Sequence, residues 1–331
     1  MKDYTLSLQR LAHFLVIVCI LFAVLILAKG ILIPIAFAML FTLMLKPIAD
    51  WYERWLPGRV LPTFLTLLTF IIPVLGILFF FWWQSIGVFQ AFSGVGDKLK
   101  EGFDIAFRWM NDQFRFTRQS GDQWLRDHIE PLMSAPLGFV GQGLTSTSAI
   151  IGNTALCFVY TFFLLLYRTG IKKFFLIQFG NKTRDEAQRI LRDTQRVTQG
   201  YLFGLLIVIS ILGVSGSIGL WIIGIDYPLF WGGLAMVLAL IPYVGTFLGG
   251  FLPFLYAFAT SDSIWTPIAV AGLYIGIQFI DNNFITPNVV GSSVKINPFA
   301  AILTLIIGGA VWGVAGLILA IPVIAIMKKN I

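Results

Sequence analysis

Charge is what this chain has least of. Only 12% of its 331 residues are Asp, Glu, Lys or Arg, about half the share of a soluble domain. So few charges cannot cover a water-facing surface of this size. Two Cys and two His, far apart in sequence, exclude a disulfide framework and a local metal site. Cys19 and Cys157 both sit inside apolar runs and read as small hydrophobes. No GxxxxGK[ST] loop is present, and GVGDKLK at 94–100 lacks its spacing, which excludes P-loop ATP hydrolysis. An HExxH helix and a GxSxG elbow are missing too. Asp226 and Asp281 suffice in number for an acid-pair protease, but nothing else supports one. The expectation is therefore a non-enzyme without a cofactor.

What the chain does have is apolar length. Hydrophobic residues make up 58%, with 31 Phe and 10 Trp, many within long uninterrupted runs. The mean hydropathy is +0.86. In lipid only helices and closed barrels satisfy every backbone group, and barrels need alternating strands rather than solid runs. The fold class expected is all-α, a polytopic integral membrane protein. The net charge of +7 does not point to nucleic acid. The cations cluster in short segments beside apolar spans, which is the positive-inside pattern.

Four regions follow along the chain. Residues 1–83 hold three spans: an uncleaved first one at 11–28, a second at 30–45 after a turn at Lys29-Gly30, and a third at 61–83 ending in a Trp pair. In residues 84–147 charges of both signs nearly balance. Phe92, Val95, Leu99, Phe103, Phe107, Met110 and Phe114 recur at spacings of three and four, the stripe of an amphipathic helix. This is expected to be an extramembrane helical region. Residues 148–199 hold a fourth span and then the most basic segment. Eight cations between Arg168 and Arg196 face three acids, which places this segment in the cytoplasm. Thr183 and Glu186 form a capping box, so a helix starts near 184 and runs into a fifth span at about 200–223. Both termini then fall on the cytoplasmic side and 84–147 outside.

Residues 200–331 make up a C-terminal bundle in which charge nearly vanishes. Between 197 and 327 only Asp226, Asp262, Asp281 and Lys295 are charged. Two apolar runs there are too long for one crossing. As straight helices 228–260 and 298–327 would reach about 50 and 45 Å, against a hydrocarbon core of about 30 Å. Pro242, Gly245, Gly249, Gly250 and Pro253 puncture the first, and Gly308, Gly309, Gly313, Gly316 and Pro322 the second. Each is a broken span or a hairpin, and their similar starts form a weak internal repeat.

Against this background FIDNNFITPNVVG at 279–291 stands out. Acids within membrane segments are costly and usually line a substrate or ion path. Two adjacent amides supply donors and acceptors for a neutral polar solute. Asp281, Asn282 and Asn283 are therefore candidate ligands. Gln278 lies three residues before the acid, on the same helical face. The competing reading is a wet turn outside the membrane, which Pro287 and Gly291 make natural. Pro242, in the first long run, removes a backbone donor and frees a carbonyl, either as a simple kink or as part of a site.

IPYVG at 241–245, QFIDNNFITPNVVGSSVKINPFAA at 278–301 and GGAVWGVAGLILAIPVIA at 308–325 occur in fixed order. In these blocks the chain resembles the autoinducer-2 exporter family of permeases. The resemblance implies a bacterial cytoplasmic-membrane protein with about eight spans, exporting small polar solutes such as autoinducer-2. It also implies a homo-oligomer, a pentamer by analogy, with the lipid bilayer, a solute and H+ or Na+ as partners. Tyr243, within IPYVG, joins the candidate site beside Pro242 and Gly245, whose break exposes backbone groups. Asp281 stands where many members carry Glu, and Thr246 where many carry Pro. The expected mechanism is secondary transport by alternating access, with 241–253, 308–322 and 278–291 forming one mobile site. A sodium/proton antiporter using the same acid is the alternative. From another class, a membrane scaffold acting through 84–147 is the second.

Overall fold

A computed structural model describes residues 2–92, 147–178, 184–242, 244–289 and 297–329. Among the described residues every regular element is helical. This is an all-α polytopic membrane protein. The amphipathic stripe expected at 84–147 lies almost wholly outside the described residues, as does Thr183 of the capping box.

Helix α1 (Lys2–Leu27) gives way to α2 (Lys29–Tyr52) across a single residue, Ala28. The helix α3 (Val60–Phe92) runs past the Trp pair at 82–83. Next come α4 (Thr147–Leu166) and α5 (Arg168–Gln178), bent by 71° to each other. The longest helix is α6 (Arg184–Ile223), whose 40 residues make about 60 Å, twice the hydrocarbon core. Its first third is charged and its remainder apolar, so one continuous helix joins the basic segment to a span. After it come α7 (Pro228–Leu238), α8 (Val244–Thr260) and α9 (Trp265–Ile280). A π-turn over Asp281–Ile285 leads into α10 (Thr286–Val289), and α11 (Pro298–Lys329) ends the described chain.

Lipid tails are as apolar as Leu, so the hydrophobic effect does little to hold these helices together. Close packing and small residues must do it. Leu45, Ala49, Leu67 and Leu165 join α2, α3 and α4 into one core. Leu220, Trp231, Tyr256 and Val270 join α6, α7, α8 and α9 into another. Glycines set the closest approaches there. A methyl group on Gly213 would lie 2.8 Å from the Met236 side chain, and one on Gly250 would lie 2.9 Å from Tyr274.

Both over-long runs are hairpins. In the first, α7 and α8 fold back on each other across Pro242. A Cβ on Gly249 would stand 2.9 Å from that of Ala235. The second run is helical on both sides of Gly313, whose φ of 59° and ψ of −136° are open only to glycine. There the chain reverses, so that a Cβ on Gly308 would lie 2.6 Å from the Gly316 carbonyl oxygen. By length and apolarity six helices can cross a membrane, and the bent α4–α5 pair is a seventh candidate. The reversal at Gly313 takes α11 out of the single crossings. The candidate crossings are then α1, α2, α3, α4, α6 and the α9–α10 segment, with two hairpins beside them.

Proline sites show how freed backbone groups are satisfied. Pro47 lies inside α2 and leaves the Leu43 carbonyl without its helical donor. Gln199 of α6 donates its Nε2 to that oxygen at 2.7 Å. Nearby, the Arg168 guanidinium bonds Asp50 at 2.8 Å and Glu53 at 2.6 Å, tying the α4–α5 bend to the end of α2.

Candidate functional site

Asp281 is 5% exposed. It sits at the end of α9, and the helical path continues through it to Val289. The whole 265–289 stretch is long and apolar enough to span a membrane. The acid lies roughly 24 Å along it. The chain at Asp281 is therefore helical rather than an open turn.

The local helix geometry is what builds the site. The Thr286 N–H donates to the Asp281 carbonyl, five residues back, in place of the usual four. On an α-helix residues five apart point roughly 140° away from each other. The wider π-turn brings them onto one face. Thr286 Oγ1 then donates to Asp281 Oδ1 at 2.7 Å. Sequence reasoning missed Thr286, because its spacing from the acid matches no α-helical face.

Ile277 and Ile285 flank the acid, four residues before and after it. Both pack against a cluster of Val208, Ile209 and Leu212 of α6 with Ala239, which Leu240 at the tip of the first hairpin also joins. The acid-bearing face and the hairpin break therefore share one apolar cluster. Among the described residues no cation is paired with the Asp281 carboxylate.

The amides turn elsewhere. Asn282 and Asn283 are exposed, and Gln278 is half-buried. Gln278 Nε2 donates to Asn282 Oδ1 at 3.1 Å, and Asn283 Nδ2 donates to the Phe279 carbonyl at 2.8 Å. Pro287 is exposed in α10. Neighbouring helical residues are about 100° apart, so Asn282 and Asn283 do not share the acid's face.

The first hairpin's tip closes on itself. The Ile241 N–H donates to Leu238 O at 2.8 Å, Val244 N–H to Pro242 O at 2.8 Å and Gly245 N–H to Ile241 O at 2.9 Å. A side chain at Gly245 would run into the Leu238 carbonyl. Tyr243 and Gly291 lie outside the described residues. The second hairpin does not join this site. Among the described residues α11 packs on α6, α2 and α1 and not on α7, α8 or α9. The structure thus gathers Ile277 and Ile285, on either side of Asp281, into the cluster that holds Ala239 of the hairpin tip, and keeps the 308–322 break apart from it.

Comparison with known proteins agrees with this architecture. The family described as "AI-2E family transporter" matches residues 15–331. "Putative transport protein YrrI" of Bacillus subtilis (strain 168) is 28% identical over 318 residues, 91% of this chain and 85% of that protein. MT0215 of Mycobacterium tuberculosis (strain CDC 1551 / Oshkosh), named in the same way, is 27% identical over 310 residues, 91% of this chain and 82% of its own. YueF of B. subtilis, again so named, is 26% identical over 234 residues, 67% of this chain and 60% of its own.

Proposed function

The chain belongs to the AI-2E transporter family and is a membrane transporter; on that premise we propose that it is a secondary transporter in which Asp281 takes up and releases a proton or cation as a small polar solute leaves the cell. The observation that carries this reading is the buried carboxylate. It lies inside a membrane-length helix, its carboxylate hydrogen-bonded only to a hydroxyl among the described residues, between two isoleucines that share an apolar cluster with the tip of a hairpin. An ionised carboxylate removed from water is strongly disfavoured unless a positive charge or a proton joins it. Occupancy at Asp281 would therefore alter packing against α6 and the 239–245 tip, and that change would be the gate for alternating access. In this reading Asn282, Asn283 and Gln278 meet the solute on the neighbouring face, with an autoinducer-2-like molecule as the solute class. The host membrane is the bacterial inner membrane and both termini are cytoplasmic. The functional unit in this reading is a homo-oligomer.

Flux in proteoliposomes tests the proposal. Wild type should move at least one member of a panel of small polar metabolites, faster with a proton gradient, and Asp281→Asn should lose that gradient dependence. Unchanged flux and gradient dependence in Asp281→Asn would discard the mechanism.

One observation favours the sodium/proton antiporter as a second reading. The amides point away from the acid and are satisfied by each other and by the backbone. Cation-dependent proton movement in vesicles without organic solute would select it.

A further inference from the structure

A cleft of about 730 Å³ opens where α2, α5 and the charged end of α6 meet. Lys46, Lys172, Arg189, Arg192 and Arg196 line it, against a single carboxylate, Asp193. Nothing in the transport mechanism uses it. We propose that this cleft is a binding site for a phosphate-bearing anion.

Its walls are held in place. Lys46 Nζ donates to Gln195 Oε1 at 3.0 Å, and Gln199 bridges to the Leu43 carbonyl that Pro47 leaves free. These two bonds tie α2 to α6 just below the arginines. Arg189, Arg192 and Arg196 are spaced three and four apart, so their side chains rise from one face of α6. All three are exposed, and among the described residues no carboxylate pairs with them. That contrasts with Arg168 close by, whose guanidinium is already spent on Asp50 and Glu53. Like charges gathered without counter-charges repel, and an anion between them removes that repulsion. Guanidinium forks match phosphate oxygens in pairs, which selects phosphate over a single-point anion.

Depth favours the same chemistry. Trp51 and Trp55 are exposed at the end of α2, as aromatics at a membrane–water boundary are. Lys46 lies about one turn before Trp51, which puts the cleft floor beside that boundary. A phosphodiester of an anionic lipid reaches this depth from the bilayer, and a free phosphate reaches it from water.

The test uses the full-length protein in nanodiscs of phosphatidylcholine, with or without phosphatidylglycerol, or with added inorganic phosphate. Native mass spectrometry reads retained lipid, and thermal midpoint reads phosphate. Three proteins are compared: wild type, Arg189→Gln/Arg192→Gln/Arg196→Gln, and a control triple that removes equal charge outside the cleft, Arg10→Gln/Arg59→Gln/Lys173→Gln. Retention of phosphatidylglycerol unaffected by phosphate identifies the lipid headgroup. A midpoint raised by phosphate in phosphatidylcholine alone identifies a free anion. Either effect should fall by on the order of tenfold to a hundredfold in the cleft triple and persist in the control. An arginine-to-lysine triple, which keeps charge and loses the forks, should give an intermediate loss and guards against misfolding of the first variant. Equal loss in the control triple, or no binding to wild type in either arm, would overturn the proposal.

Discussion

Gly308 and Gly316 meet backbone to backbone. A Cβ on either would strike the other's carbonyl group. In a straight helix these residues would stand about 12 Å apart. Their contact is what makes 298–329 a hairpin, and Gly313 supplies the reversal with its φ of 59°.

Gly316→Ala should therefore separate the two legs, and Gly313→Ala should strain the turn. Each is expected to destabilise by about 1–3 kcal/mol. Gly272→Ala serves as control, since its Cβ would meet nothing within 4 Å. Thermal midpoints by fluorescence-detected size exclusion should drop for the first two and hold for the third. Three equal midpoints would argue against the hairpin.

Around Asp281, side-chain length and hydrogen bonding separate proton coupling from simple packing. Asp281→Glu keeps the acid and adds one methylene, so partial gradient-driven flux should remain. Thr286→Val removes the hydroxyl that donates to Oδ1 at 2.7 Å but keeps the shape. It should shift the pH dependence of flux while leaving expression intact. Asn282→Ala should weaken solute affinity and leave proton coupling unchanged. A pH profile identical to wild type in Thr286→Val would show that the hydroxyl does not act on the carboxylate.

Arg168 is 14% exposed and serves two carboxylates, of which Glu53 is the better buried. Arg168→Ala would leave that carboxylate without its charge partner. A loss on the order of 1–3 kcal/mol is expected, less than for a fully buried pair, because Asp50 is half open to water. Arg168→Lys should recover only part of it: both carboxylates meet Nη2, which one ammonium can imitate, but Nη1 also donates to the Leu165 carbonyl at 3.0 Å and lysine has no second nitrogen for it. Full recovery by lysine, read from the thermal midpoint, would reduce the bridge to simple charge.

Topology has its own measurement. If 298–329 is a hairpin, single cysteines at Asn297 and Lys328 should react with an impermeant maleimide from the same side. Cysteines at Lys98 and Arg184 should react from opposite sides, as the basic excess around 168–196 requires. Opposite-side labelling of Asn297 and Lys328 would restore a single crossing.

The sequence by itself determined the class of protein and most of its helices, because long apolar runs and clustered cations leave no other solution in a bilayer. It also exposed the two over-long runs and singled out Asp281 as an acid beside long apolar stretches, while leaving a turn at 281–291 open as the other reading. It could not choose between a broken span and a hairpin. Pro242 and Gly313 permit either, and only the backbone contacts of Gly249 with Ala235 and of Gly308 with Gly316 decide it. Nor could it join Thr286 to Asp281, because helical spacing predicts opposite faces until a π-turn rotates them together. Gln199 reaching the Leu43 carbonyl, and Arg168 reaching Asp50 and Glu53, bridge more than a hundred residues of chain. Such long-range pairings carry no periodicity in sequence, so the tertiary structure alone selects them.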